Sequence, residues 1–537
     1  MIANKTLNGL LRAGLAATAI SLMASAWAQA PASLGAAPQR TVTQLYQQHC
    51  AACHGEQRLG GMGPALLPES LARLKKPEAL AVIRDGRPAT QMAGFGAQLS
   101  EAELKALGEW IYTPVSPAPR WADADIRTSR VETAGWKDWP AKPQWRADPM
   151  NLFIVVEGGD HHVSLLDGDK FEVIHRFPSR FALHGGPKFT PDGRYVFFGS
   201  RDGWITKFDL WNLKTVAEVR AGINMRNIAV SGDGQWVMAA NYLPHTLALF
   251  DADLNLVKTY EARTQDGART SRVSAVYDAE PRKSFVIALK DIAEIWEISY
   301  DRQAPPIYDG FVHDYKMAEG LPKDGFLGVR RTPLAEPLDD FFFSPNYAYA
   351  LGASRPHDDG SPSGQVVNLD ARRKIATLPI AGMPHLGSGI TFDHGGRRVM
   401  ASPNLKDGRI SVIDMQTWQL VKDIETPGPG FFMRSHEATP YAWVDSMMSP
   451  KAKDTLTILD KRTLAPVAQV REPGKTLAHI EFTKDGRYAL ASVWENDGAL
   501  VVYDASTFKE VKRLPMKKPV GKYNVFNKIT RSEGTSH

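Results

Sequence analysis

Cys50-Ala51-Ala52-Cys53-His54 places two thiols and an imidazole at the spacing that attaches a c-type haem. The thiols of Cys50 and Cys53 add across the haem vinyl groups as thioethers, and His54 then ligates the iron from the proximal side. These are the only two cysteines in the chain. A structural zinc knuckle would need a second pair of ligands at similar spacing, and a thioredoxin-like dithiol does not call for the histidine that follows. One covalent haem c is therefore expected. For the second axial position the sequence offers Met92, in the glycine-rich loop Gln91-Met92-Ala93-Gly94-Phe95-Gly96, where a thioether can be presented rigidly to the iron and raise its potential. Met62, in Gly-Met-Gly-Pro close behind the attachment site, is the competitor and is expected at the haem edge. For either methionine the plain alternative is core packing.

The elements that must hold these groups form a small all-α class I cytochrome c domain over residues 40–114. An opening helix carries Leu45 and Tyr46 up to the haem site. A closing helix starts at Ser100-Glu101-Ala102-Glu103, a capping box, and sets Leu104, Leu107, Trp110 and Ile111 on one face. Ahead of it, Lys5 and Arg12 precede an apolar run from Leu15 to Ala24, and Ala26-Trp27-Ala28 offers a small-x-small cleavage site. Residues 1–28 thus read as a signal peptide, cut after Ala28, that sends the chain to the periplasm, with an uncleaved anchor helix as the alternative. No later stretch is apolar for the ~20 residues of a membrane span. The formal charge of +5 falls to +3 once Lys5 and Arg12 are removed, and no basic stripe with interleaved aromatics is present, which argues against nucleic acid.

Residues 115–147, rich in Pro and Trp, lack a clean period and read as a linker on the surface. From residue 148 to 537 short β runs recur behind similar turns: Pro191-Asp192-Gly193-Arg194-Tyr195, Gly232-Asp233-Gly234-Gln235-Trp236, Pro345-Asn346-Tyr347, Asp393-His394-Gly395-Gly396-Arg397 and Lys484-Asp485-Gly486-Arg487-Tyr488. With weaker copies near Asp148, Pro281 and Thr439 these make eight units, most of them at the ~40–50-residue spacing of four-stranded blades. An all-β eight-bladed propeller follows, with seven blades as the nearest alternative. Its central channel suits a large planar ligand. One longer interval holds an insertion at residues 307–333, containing Tyr308, His313, Arg330 and Arg331, for which a lid over the pocket or a docking surface are the two expected roles.

Over essentially the whole mature chain the sequence resembles the cytochrome cd1 family. The resemblance is carried by Phe181-Ala182-Leu183-His184, Gly199-Ser200-Arg201-Asp202, Asp209-Leu210-Trp211, Met383-Pro384-His385 and Gly521-Lys522-Tyr523-Asn524-Val525-Phe526-Asn527. It implies a second, non-covalent cofactor in the propeller, haem d1 or its dihydro precursor. His184, beside Gly185-Gly186, is then expected as the proximal ligand of the d1 iron. Arg201 and Arg226 are expected to bind the carboxylates of the macrocycle with planar, bidentate donors.

The family divides into nitrite reductases and dihydro-haem d1 dehydrogenases. The reductases, by this resemblance, carry two distal histidines. Here His385 keeps the second, while Asp339 in Leu338-Asp339-Asp340-Phe341 stands at the first, where a carboxylate would repel nitrite and hold no proton for it. His479, His385 and Tyr523 match residues that the dehydrogenases use around the tetrapyrrole, for ligation or catalysis. The expected reaction is therefore oxidation of a propionate of dihydro-haem d1 to an acrylate, completing haem d1 biosynthesis, with electrons leaving through haem c to a periplasmic acceptor. Nitrite reductase or other haem d1 pathway proteins are the expected protein partners. The competing readings are a nitrite reductase, a non-catalytic haem d1 carrier, and a propeller scaffold with a shuttle cytochrome.

Overall fold

The structure is a computed structural model that describes residues 40–60, 63–71, 74–86, 92–117, 119–308, 322–355, 357 and 359–533. The expected signal peptide, Met62 and the centre of the insertion, His313 included, lie outside the described residues.

The described strands form eight sheets of four main strands each, arranged as blades of a propeller and numbered in chain order: blade 1 (152–178 with 519–524), blade 2 (188–220), blade 3 (224–261), blade 4 (273–333), blade 5 (340–378), blade 6 (390–425), blade 7 (433–471) and blade 8 (477–516). In the middle strands of each blade both faces are covered by neighbouring blades, so they are apolar almost throughout: every residue of Leu152–Glu157 is buried. The outermost strands, such as Ala465–Arg471, alternate instead, because one face meets water. Between blades 2 and 3, Phe197, Ile205 and Val219 pack against Ile228, Val237 and Phe250. The recurring turns work through one aspartate each. Asp192 accepts from the Arg194 amide at 3.1 Å and from the Thr190 hydroxyl at 2.5 Å, and Gly193 supplies the left-handed conformation at φ +68°.

Blade 1 is built from both ends of the propeller. Pro519–Asn524, from the end of the chain, forms its innermost strand and pairs with Leu152–Glu157. This closure leaves no open sheet edge at the seam.

The cytochrome domain has the expected core of Leu45, Tyr46, Leu104, Leu107 and Ile111. Its capping box forms: the Ser100 amide donates to Glu103 at 2.9 Å and the Ser100 hydroxyl accepts from the Glu103 amide. Leu59, Ala65 and Leu67 pack on Ile223 of the propeller, flanked by Leu243 and Trp121. Asn224 adds a hydrogen bond to Ser70 at 3.2 Å.

The stretch at 115–147 is not a passive surface linker. It forms the helix Asp123–Ser129 and the short strand Val131–Glu132, which becomes a fifth strand of blade 2. Ile126 and Trp136 are buried in the core between blades 2 and 3, and the Trp121 indole donates to the Arg220 carbonyl at 2.9 Å. The aromatics that gave the segment no helical or strand period serve as side-on packing against blades.

The insertion leaves blade 4 between its third strand, Glu294–Ser299, and its fourth, Val329–Pro333. In an antiparallel four-stranded blade the 1–2 and 3–4 connections emerge on one face of the ring, and the 2–3 and blade-to-blade connections on the other. The insertion is therefore rooted on the face opposite the pocket described below, which speaks against a lid. Arg331 is part of the blade itself, paired with Glu294 at 2.9 Å and lying over Trp296.

Candidate functional site

At the hub, on the face formed by the blade-to-blade connections, lies a cavity of about 400 Å³, within the size range of cofactor sites. His184, Arg226, Asp340, His385, Arg434 and Tyr523 line it from six different blades. Each arrives at or just before the start of an innermost strand, except Tyr523, near the end of its strand.

His184 is held by its neighbours in the form that binds a metal. Its Nδ1–H donates to the Arg226 carbonyl at 2.7 Å, leaving the lone pair on Nε2. Burial, then the charges of Arg201 and Arg226, push its pKa far below the ordinary imidazole value, so it is neutral. Arg226 and Arg201 donate to Nε2 at 2.7 and 3.0 Å, bringing both predicted cations to this imidazole. Gly186, at φ +70°, has no side chain for a steric reason: a Cβ there would stand 3.0 Å from the Tyr523 ring.

His385 donates from Nδ1 to the Phe431 carbonyl at 2.8 Å, again leaving Nε2 as the basic nitrogen. Burial lowers its pKa. Tyr523 is the reverse case, its hydroxyl pushed up to about 12 by burial, so it keeps its proton. His479 is not part of the pocket wall. It sits behind Phe432 and Tyr523, with ring centroids 4.6 and 5.2 Å away. A bulge between Ala478 and Ile480 places it at φ +50°, and the buried Lys522 amine donates to its carbonyl. Its Nε2 has no hydrogen-bond partner among the described residues.

Asp339 does not line the pocket as expected from the sequence; Asp340 does. Adjacent side chains on a strand point to opposite faces. Asp339 is drawn to the buried Lys290 at 3.2 Å, and Asp340 accepts from the Tyr277 hydroxyl at 2.7 Å in the pocket wall.

Arg434 and Trp494 also line the pocket and were not legible beforehand. Arg434 Nε and Trp494 Nε1 are buried donors with no partner among the described residues. Unmet donors of this kind are costly unless a ligand supplies acceptors. Together with the His184 lone pair and the Gly185-Gly186 gap, they fit a metal macrocycle bearing carboxylates.

The haem c site is local. Cys50 caps a one-turn helix, Ala51–His54, and Cys53 lies within it, one residue before His54. His54 donates from Nδ1 to the Pro64 carbonyl at 2.8 Å, which fixes the tautomer and leaves Nε2 for iron. The missing Cβ of Gly63 makes room for the His54 ring, 2.6 Å from where that Cβ would be. Met92 is partly buried against the same apolar cluster as Cys50. These residues fit a covalent haem.

Residues 147–317 and 323–528 match the family model described as "Cytochrome D1 heme domain". The chain belongs to that family. Residues 37–111 match the model "Cytochrome C oxidase, cbb3-type, subunit III", so this member of the cytochrome d1 family carries a cytochrome c domain at its front. A dihydro-heme d1 dehydrogenase of Pseudomonas aeruginosa is 54% identical over 97% of this chain and 99% of its own length. A nitrite reductase of Stutzerimonas stutzeri is 26% identical over 96% of this chain and 97% of its own. Among solved structures, dihydro-heme d1 dehydrogenase NirN in complex with DHE superposes with a TM-score of 0.78 at 55% identity, covering 90% of this chain and 99% of that one. Within the cytochrome d1 family the similarity to the dehydrogenase is thus about twice that to the reductase.

Proposed function

We propose that the protein is a dihydro-haem d1 dehydrogenase of the periplasm, which oxidises a propionate side chain of its tetrapyrrole to an acrylate and so completes haem d1. The observation that carries this is a hub pocket combining a neutral, iron-competent histidine, cations for carboxylates and a separate neutral imidazole, in a chain 54% identical to such a dehydrogenase over almost its full length.

The bound tetrapyrrole and haem c supply the redox chemistry, taking electrons one at a time. His184 Nε2, to which Arg201 and Arg226 donate here, would hold the substrate iron once the two guanidinium groups turn to carboxylates of the macrocycle. Arg434 and Trp494 offer their unmet N–H groups to the same anions. His385, neutral and with a free Nε2, is the base that takes a proton from carbon. Tyr523 keeps its proton and so orients or relays rather than abstracts. Ile223, against the cytochrome, and Arg226, in the pocket wall, are three residues apart, a span of roughly 10 Å of extended chain. Cys50, Cys53 and His54 would hold a haem c in the domain packed on Ile223, and that haem would supply a one-electron carrier close to the pocket.

Nitrite reduction is less well supported: the pocket offers one distal imidazole, His385, and a carboxylate, Asp340, that opposes an anionic substrate. The test is to mix the haem c-loaded protein anaerobically with dihydro-haem d1 and a one-electron oxidant, then weigh the extracted cofactor. Loss of two hydrogens is expected. Unchanged mass with rapid nitrite consumption would move the assignment to a reductase, and tight binding with neither activity to a carrier.

A further inference from the structure

On the opposite face of the hub lies a second cavity, of about 410 Å³, lined by Lys188, Asp278, Lys528 and Arg531. Tyr277 borders both cavities. The innermost strand of blade 4, Val273–Ala279, runs between them, with Ser274 at the tetrapyrrole pocket and Asp278 at the far cavity. That separation is about 13 Å of strand.

Ionisable groups from neighbouring elements gather around Tyr277 and Asp278 of this strand. Asp340, in the pocket wall, accepts from the Tyr277 hydroxyl at 2.7 Å. The Lys188 ammonium lies 5.8 Å from the centre of the Tyr277 ring and is attracted by both Asp340 and Asp278. Asp278 in turn is bound by the Tyr300 hydroxyl at 2.8 Å and by Arg531 at 3.1 Å, where the far cavity begins.

The dehydrogenation has a balance to meet. Converting a CH2–CH2 unit to CH=CH releases two protons and two electrons, the electrons reducing two equivalents of a one-electron acceptor by way of haem c. The cytochrome sits on the pocket face, and haem c carries no protons. We propose that the protons leave in the other direction, from the tetrapyrrole pocket through Asp340 and Tyr277, Lys188 and Asp278, into the cavity on the far face. This rests on the dehydrogenase reading above. Burial lowers the Lys188 pKa to about 8 and raises that of Asp278 to about 7. Both groups can therefore take up and release protons near neutrality.

The experiment follows turnover of dihydro-haem d1 with ferricenium by the haem c-loaded protein, in weak buffer, in water and in deuterated water. Lys188→Met and Asp278→Asn are expected to lower kcat about tenfold with tetrapyrrole uptake unchanged, to enlarge the solvent isotope effect, and to recover rate when small protonatable amines are added. Wild-type rates and isotope effects in both variants overturn the relay. So does loss of tetrapyrrole uptake in both, which assigns the residues to structure. Failure of the wild-type protein to form product removes the dehydrogenase reading and the relay together, whereas product from wild type with unaffected variants removes the relay alone.

Discussion

The haem c site draws Cys50, Cys53 and His54 from five consecutive residues, whereas the hub pocket draws His184, Arg226, His385, Arg434 and Tyr523 from five different blades. The first site needs little more than a one-turn helix and a carbonyl to orient an imidazole. The second exists only while the ring is closed, because Tyr523 comes from the strand that seals blade 1. Perturbations of the propeller should therefore disable the pocket and leave haem c untouched, and each variant below tests that asymmetry.

The largest effect is expected from His184→Ala. Removing the ligand should weaken tetrapyrrole uptake by more than the roughly 10–100-fold typical of outer-shell changes, while the haem c spectrum stays as in the parent. An absorbance titration reads both at once, and uptake at wild-type strength would cancel the proximal assignment.

His385→Ala comes next. It should lower kcat about 100-fold or more with uptake retained. In the parent protein burial keeps this imidazole neutral below its ordinary value of 6.5. Activity should consequently hold as the pH falls through 6.5 and decline only below it, as the base takes a proton. A decline centred above 6.5 in a kcat profile would place the base elsewhere.

A smaller change is expected for Lys522→Met. The buried amine donates to the His479 carbonyl and, at 2.9 Å, to the Ser492 hydroxyl, tying blade 1 to blade 8. Leaving these acceptors unmet costs about 1–3 kcal/mol. The propeller transition in calorimetry should drop by a few degrees, and equal loss at the cytochrome would break the contrast between the two regions.

The same asymmetry explains what could be read from the sequence. Cys50 to His54 and the Ser100–Glu103 box are local signals with local causes. The Asp-Gly turns marked the blades because each aspartate is satisfied within its own turn, as Asp192 is. Asp339 and Asp340 could not be distinguished, since the apolar Phe341-Phe342-Phe343 run has no alternation to set the register; Lys290, 49 residues away, settles it. Arg434 and Trp494 carried no sequence signal for the pocket, because nothing near them in the chain marks the hub. Residues 115–147 lacked a period because Trp121 and Trp136 pack sideways onto blades rather than along a helix or strand of their own.

The seam in blade 1 also imposes an order of events. Residues 519–524 emerge during synthesis long after Leu152–Glu157, and until they insert beside that strand there is neither a closed hub nor a Tyr523 within it. The haem c module, finished hundreds of residues earlier, can be loaded first. Tetrapyrrole capture is thereby reserved for molecules whose chain extends through the seam, and a chain cut short before it would be a cytochrome with nothing to oxidise.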